Sequence, residues 1–360
     1  MKKVLLLTDV NFWEDYSGHR VRIRALIEYL SQKIQLTVIN TGPAPGNMEE
    51  TIKIRFGIEF FILEKNKYLS SAGYGRRLKK LMTGREFDSV IIEYIHSSYF
   101  LNYLNGEPQI ILDTHDIISE RAKEFAGFNH QGALYELSEE QESEILSVYD
   151  YIIAISKADL EKLQNMAGNE KVILCPHPVL PVKHPIRDEV RNIVFVASAY
   201  LPNKDAINYF IKNCWPAISA KYPLVNLSIY GAVCEAVSTG ENTNISLKGF
   251  VSDLDLVYRD ADIVINPVRF GAGFKIKNIE ALAHGRPLIT TSHGARGLEP
   301  VQSKAFLVAD EPADFIKKTE VLIENMQMRK QLSEAALQYI AEYFSPQQCF
   351  QPLIEVIAKA

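Results

Sequence analysis

The strongest constraint on this chain is an alternation sustained over almost its whole length, in which short continuous apolar runs are separated by amphipathic stretches. A run apolar at every position suits a strand covered on both faces, and the amphipathic stretches suit the helices that cover it. The pattern is therefore that of βα units around parallel sheets. Strands are expected at 4–7, 36–39, 89–92, 110–112, 151–155 and 172–174, then at 193–197, 226–230, 245–247, 262–265, 287–290 and 305–308. That is too many for one ordinary sheet, so two doubly wound sheets are expected, with a ligand at the carboxyl ends of their strands.

Between the two series lies Cys175-Pro-His-Pro-Val-Leu-Pro-Val-Lys-His-Pro185. Its four prolines remove backbone donors and fix φ, which neither a helix nor a central strand survives. The expected domains are 1–183 and 184–344. The remainder, 345–360, is apolar at helical spacing through Phe350, Leu353, Ile354 and Ile357, and suits either a return across the first domain or a cap on the second.

Lys and Arg number 39 against 44 Asp and Glu, a net charge of −5, so no strongly basic surface for nucleic acid is implied. Four cysteines stand far apart with no CxxC pair, which speaks against a zinc knuckle or a disulfide scaffold and fits a reducing cytoplasm. No apolar run approaches the ~20 residues of a membrane-spanning helix, so a membrane role would be peripheral, at the inner face.

The most informative stretch runs from Asn266 to Leu298: strand, glycine loop, helix, strand. Gly271 and Gly273 let backbone approach a ligand, and the first N–H groups of the following helix point at it with partial positive charge. Arg269, Lys275 and Lys277 place three cations within nine residues, enough to hold a diphosphate and to stabilise it as a leaving group. Glu280, one turn into the helix, can accept hydrogen bonds from the vicinal hydroxyls of a ribose.

This segment resembles the donor-binding signature of family four GT-B glycosyltransferases, retaining enzymes that use nucleotide-activated sugars. The resemblance implies a GT-B fold, two doubly wound Rossmann-like domains facing a central cleft. Three further stretches are similar to the family. Ala199-Tyr-Leu-Pro-Asn-Lys-Asp-Ala206 with Trp215-Pro216 resembles the first loop and helix of the C-domain, placing Asn203 and Lys204 at the donor. Lys248-Gly-Phe-Val-Ser-Asp253 resembles the loop that holds the base, implicating Phe250 and Val251. Residues 149–160 resemble a late strand and helix of the N-domain. Phe274 joins Gly273 as a backbone contact to the sugar. One departure stands out: the family's E-x7-E spacing would put its first acid at Ala272.

In the first domain, Ser17-Gly-His-Arg-Val-Arg22 follows the first strand. In the family this loop faces the donor phosphates and the acceptor, which implicates Gly18, His19 and Arg20; Arg22 and Arg24 are expected at the surface. Asp113-Thr-His-Asp116 ends a buried strand and resembles the motif whose histidine contacts the donor sugar, a position taken by His115. Asp116, with Glu93, Tyr94 and His96 after the preceding strand, is expected on the acceptor side.

These readings make His115, Lys275 and Arg269 the expected catalytic groups. The expected reaction is retaining transfer from a nucleotide diphosphate sugar to a glycan, glycolipid or protein acceptor, without cofactor or metal. A nucleotide-sugar epimerase and an inactive GT-B partner subunit remain alternatives, the second because of Ala272. From Lys65 to Arg85 there are seven cations and no acids, interleaved with Tyr68, Tyr74, Leu78, Leu81 and Met82, which suits either an anionic membrane or a solvated helix face. The acids of 136–144 suit a solvated helix face, and Asp253 with Asp255 an acid pair at a helix start.

Overall fold

A computed structural model describes residues 1–14, 18–45, 48–63, 71–128, 135–240 and 244–360. The chain forms two α/β units, one of residues 1–178 with 346–360 and the other of residues 179–345. The division precedes the expected 183/184 by five residues. Backbone bonds explain it: Val179 N–H reaches Phe344 O, and Val182 N–H reaches Ala283 O, so the proline-rich stretch is tied into the second unit.

The first unit holds β1 (Lys3–Thr8), β2 (Gln35–Asn40), β3 (Glu59–Ile62), β4 (Ser89–Glu93), β5 (Gln109–Asp113), β6 (Tyr151–Ala154) and β7 (Val172–Leu174). Their order is β3-β2-β1-β4-β5-β6-β7, and every pair is parallel. The second holds β8 (Asn192–Val196), β9 (Asn226–Tyr230), β10 (Ile245–Gly249), β11 (Ile263–Asn266), β12 (Leu288–Thr290) and β13 (Leu307–Val308), ordered β10-β9-β8-β11-β12-β13 and again parallel. Both are doubly wound Rossmann-like sheets. The strand order reverses beside β1 and β4 in one and beside β8 and β11 in the other, where a crevice opens at the carboxyl ends.

Leu5, Leu7, Val90, Ile92, Leu112 and Ile152 centre the first core, and Ile193, Phe195, Leu227, Ile229, Ile263 and Ile265 the second. The strand missing from the sequence reading is β3, four residues at a sheet edge of which only Phe60 is fully buried. The helix Pro346–Ile357 belongs to the first unit and buries Cys349, Phe350, Leu353, Val356 and Ile357. Phe350 lies 5.6 Å from the ring of Tyr29 on helix Gly18–Leu30.

Candidate active site

In the first unit the site is built where β4 and β5 end. Glu93 and Asp113 are register partners on these neighbouring strands, and both are fully buried. Two adjacent buried carboxylates require cations. Arg22 supplies one, its Nη2 donating to Asp113 Oδ2 at 2.8 Å. His115 supplies the other group, with Nε2 and Glu93 Oε2 2.5 Å apart. Arg22 is therefore not at the surface: helix Gly18–Leu30 buries the face carrying Arg22, Ile23, Leu26 and Ile27, and the carboxylate of Asp113 compensates the guanidinium. Glu93, expected on the acceptor side, is fully buried with its carboxyl turned to the imidazole of His115.

Backbone strain accompanies this arrangement. Tyr94, directly after β4, and His115, two residues after the end of β5, adopt φ of 67° and 61°, values that side-chain-bearing residues rarely take. Their rings stack at 4.1 Å and 14°. His96 stacks on Tyr94 at 5.4 Å, and its Nε2 lies 2.8 Å from Asp9 Oδ2. His19 meets Tyr94 edge-on at 6.3 Å. Burial, and then the charge of His115, pull His19 down to about 4. Arg20 pairs with Glu14, and Asp116 with Arg121 at 2.9 Å. The sequence-expected His19, Tyr94, His96 and His115 thus form one aromatic cluster. Gly18 opens the helix beneath it, while Arg20 and Asp116 are held in ion pairs at its margin. The donor atoms of Glu93, Asp113 and His115 are close enough for a metal ion. Asp113 Oδ2 is bonded to Arg22, and Glu93 Oε2 to His115 Nε2, while Glu93 Oε1 and Asp113 Oδ1 have no hydrogen-bond partner among the described residues.

In the second unit, β11 leads into the glycine loop and then helix Ile276–Ala283. Gly271 and Gly273 have φ of 105° and 79°, and a Cβ on Gly271 would stand 2.8 Å from Pro202 Cγ. Lys275, at the N-cap, turns back over the loop and donates to Gly271 O and Gly273 O, both at 2.6 Å. His293 Nε2 also lies 2.9 Å from Gly271 O, a partner that the sequence reading missed. Arg269 forms a bidentate pair with Asp205, at 3.0 and 2.6 Å, and its guanidinium lies 4.0 Å from the ring centre of Tyr209.

Lys277 Nζ donates to Asn203 Oδ1 at 2.5 Å, joining two residues expected at the donor from separate motifs. Burial, with Lys275 adding repulsion, pulls its ammonium down to about 7. Glu280 accepts from Tyr258 Oη at 3.3 Å, and burial raises its carboxyl. The helix is fastened to the sheet by Asn278, which donates to Gly294 O and accepts from Asn266 Nδ2, each at 2.8 Å. An Asn on a helix face that spacing reads as apolar gave no warning of this role. Phe250 is 54% exposed, and Leu247 and Leu256 are also exposed; Lys204, Val251 and Phe274 are half-buried. Asp253 caps helix Leu254–Asp260, its side chain accepting from Asp255 N.

Residues 190–325 match the family described as Glycosyl transferases group 1. An uncharacterized 44.6 kDa protein in the cps region of Klebsiella pneumoniae is 23% identical over 307 residues, 78% of this chain and 76% of that one. Among solved structures, sucrose-phosphate synthase from Thermosynechococcus elongatus superposes with a TM-score of 0.79 at 14% identity, covering all of both chains. Anabaena HepE in complex with UDP and glucose does so at 0.73 and 15%, again over all of both chains. A TarM variant from S. aureus, in complex with Fondaparinux, alpha-GlcNAc-glycerol and UDP, reaches 0.77 at 11%, covering 99% of this chain and all of the other. The matched domain contains the glycine loop, Lys275, Lys277 and Glu280, and the two parallel sheets are those of GT-B enzymes: this chain is a glycosyltransferase.

Proposed function

We propose that this is a retaining, family-four-type transferase. It would move a sugar from a nucleotide diphosphate sugar to a hydroxyl of a glycan or glycolipid during surface polysaccharide synthesis on the cytoplasmic side of the membrane. The observation that carries the reading is the donor cradle around Lys277, whose ammonium, held at Asn203 and depressed to about 7, is matched to an incoming diphosphate. The UDP complexes of HepE and TarM and the cps-region relative support the donor class and the setting.

In the proposed step the bond between the anomeric carbon and the phosphate oxygen breaks, and the bond to the acceptor oxygen forms on the same face. The acceptor proton passes to the leaving phosphate oxygen. Lys277 and the N-terminus of helix Ile276–Ala283 take up the negative charge growing on the diphosphate. Lys275 keeps the glycine loop in shape, and Arg269, oriented by Asp205, adds positive potential at its entrance. Glu280 would take the ribose hydroxyls, Phe250 and Val251 the base. Metal is not required in this scheme. Peripheral contact with anionic lipid through the basic helix Ser71–Leu81 would bring the enzyme to a lipid-linked acceptor.

The test is thermal unfolding of the chain against a panel of nucleotide diphosphate sugars, followed by product analysis with the one that binds. A ligand that binds only the folded state stabilises it by RT ln(1 + [L]/Kd). The expected result is a shift with one nucleotide class, lost in Glu280→Ala, then transfer with the anomeric configuration kept without added metal. Absence of any shift would overturn the reading and favour an inactive partner subunit.

A further inference from the structure

Glu93 and His115 share one short hydrogen bond, 2.5 Å between Oε2 and Nε2, and both side chains are buried. The groups facing them are few. Asp113 lies beside Glu93 in the strand register, Arg22 reaches Asp113 from helix Gly18–Leu30, and Tyr94 covers one face of the imidazole. His19, at the start of the same helix, is kept neutral at physiological pH by burial first and by His115 second. His177 is buried, and burial followed by Arg22 pulls it to about 3, so it brings no charge.

A charge count follows. Two buried carboxylates face one guanidinium, so a neutral His115 leaves a net negative charge out of water, which costs several kcal/mol. One more proton removes that cost, and the Glu93–His115 hydrogen bond is where it can be held. The electrostatics agree. Burial and then Asp113 raise Glu93; desolvation alone would lower His115, but Asp113 and then Glu93 outweigh it and the net direction is upward.

We propose that the pair retains this proton through neutral pH, so that His115 presents Nδ1–H as a hydrogen-bond donor to an anionic ligand oxygen, with Glu93, Asp113 and Arg22 as positioning residues. The conclusion does not depend on which side of the bond holds the shared proton. If it sits on Nε2, the ring is an imidazolium and Nδ1 carries hydrogen. If it sits on Glu93, Nε2 accepts and neutral imidazole keeps its hydrogen on Nδ1. Only loss of the proton makes Nδ1 an acceptor able to act as a base. The pair titrates as a unit. That the anionic oxygen is a phosphoryl oxygen rests on the glycosyl-transfer reading; the protonation state does not.

The experiment is nitrogen NMR of the full chain labelled at histidine, comparing wild type with Glu93→Gln and Asp113→Asn, with circular dichroism to confirm folding. Expected is a His115 Nδ1 bearing hydrogen from pH 6 to 8 in the wild type. In Asp113→Asn one carboxylate faces one guanidinium, the extra proton is no longer held, and a neutral ring donating Nε2–H to Glu93 leaves Nδ1 without hydrogen within that range. In Glu93→Gln no carboxylate stabilises the imidazolium, and the amide, which can donate to or accept from Nε2, sets the tautomer of the neutral ring. A wild-type Nδ1 without hydrogen at pH 7, or one unaffected by Asp113→Asn, overturns the proposal. Transfer assays form a separate arm: the alkaline limb of kcat/KM should move to lower pH in Asp113→Asn, with activity recovering at pH 6. Should no transfer be found with any donor, the NMR result still stands or falls alone.

Discussion

Glu93 and Asp113 are register neighbours at the ends of β4 and β5, and each carboxylate is met by a group from a different element: Asp113 by Arg22, Glu93 by His115. The same sheet also buries Thr8, Thr37, Asn40 and Ser89, but none of these is charged; Glu93 and Asp113 place two carboxyls side by side next to the strands where the order reverses. Among the described residues, Glu93 Oε1, Asp113 Oδ1 and two nitrogens of Arg22 have no hydrogen-bond partner, so the network is not saturated. An arrangement of this kind spends stability to position charge.

Removing Arg22 should therefore be severe. Arg22→Met strands the Asp113 carboxylate in the core and is expected to cost about 3 to 5 kcal/mol, seen as a large fall in the unfolding temperature. Adding Asp113→Asn removes that stranded charge and should restore part of the loss. A single variant that melts with the wild type would refute this account of the pair.

Lys277 predicts a pH dependence in donor affinity. Its ammonium is depressed to about 7 and a diphosphate would raise it again, so binding takes up a proton when the pH lies above that value. A nucleotide diphosphate sugar keeps a constant charge over this range. Its Kd, measured by titration calorimetry, should be flat below pH 7 and rise by up to roughly tenfold per unit above it. Lys277→Met should abolish the slope and weaken binding. It should also stabilise the fold: the folded value is lower than the usual 10.5, so burying the charge is unfavourable below about 7, and the penalty fades as pH rises to 10.5. A variant less stable than wild type at pH 6 would contradict the burial argument.

Gly271 is held by φ and by space together. At φ 105°, with a Cβ 2.8 Å from Pro202 Cγ, an alanine must push the loop away from the start of helix Leu201–Asn213. Gly271→Ala is expected to cost about 1 to 3 kcal/mol. It should weaken donor binding further, because the displaced carbonyl is the one that Lys275 and His293 share. Unchanged affinity would mean that loop shape does not set the donor site.

Much of this was legible from the chain itself, and the failures have physical causes. Parallel strands buried on both faces read as plain apolar runs, so the core strands were visible, whereas β3, half-exposed at an edge, was not. Arg22 was read with Arg24 as a surface residue because an arginine on an amphipathic helix normally is; its burial depends on Asp113, 91 residues away. The acids of 136–144 resembled a solvated face. Most are exposed, but Glu142 is buried and accepts from the N–H groups of Ile118 and Ser119, both at 2.8 Å, capping helix Ile118–Gly127. Spacing reveals which residues share a face, but not which distant partner neutralises them. In the second unit Lys277 and Asn203 were each visible for local reasons, but their contact is tertiary.

The basic stretch of the first unit carries the last prediction. Lys65, Lys67 and Tyr68 lie outside the described residues. Of the apolar residues interleaved with the cations, Tyr74, Leu78 and Met82 are buried in the core, so they are not available to enter a bilayer. Arg85 lies 4.8 Å from the ring centre of Phe61. What helix Ser71–Leu81 offers is its charge: Arg76, Arg77, Lys79 and Lys80 are exposed. No helix among the described residues is long and apolar enough to cross a membrane. Attraction through four surface cations is worth about 1 kcal/mol each and is screened within a Debye length, ~10 Å at 0.1 M salt. Vesicles containing phosphatidylserine should therefore sediment the protein at low ionic strength and release it at about 0.5 M salt, where screening is stronger. Arg76→Glu with Lys80→Glu should abolish the effect without changing the melting temperature. Binding that persists in high salt would require insertion of apolar side chains, which the buried face of this helix does not provide.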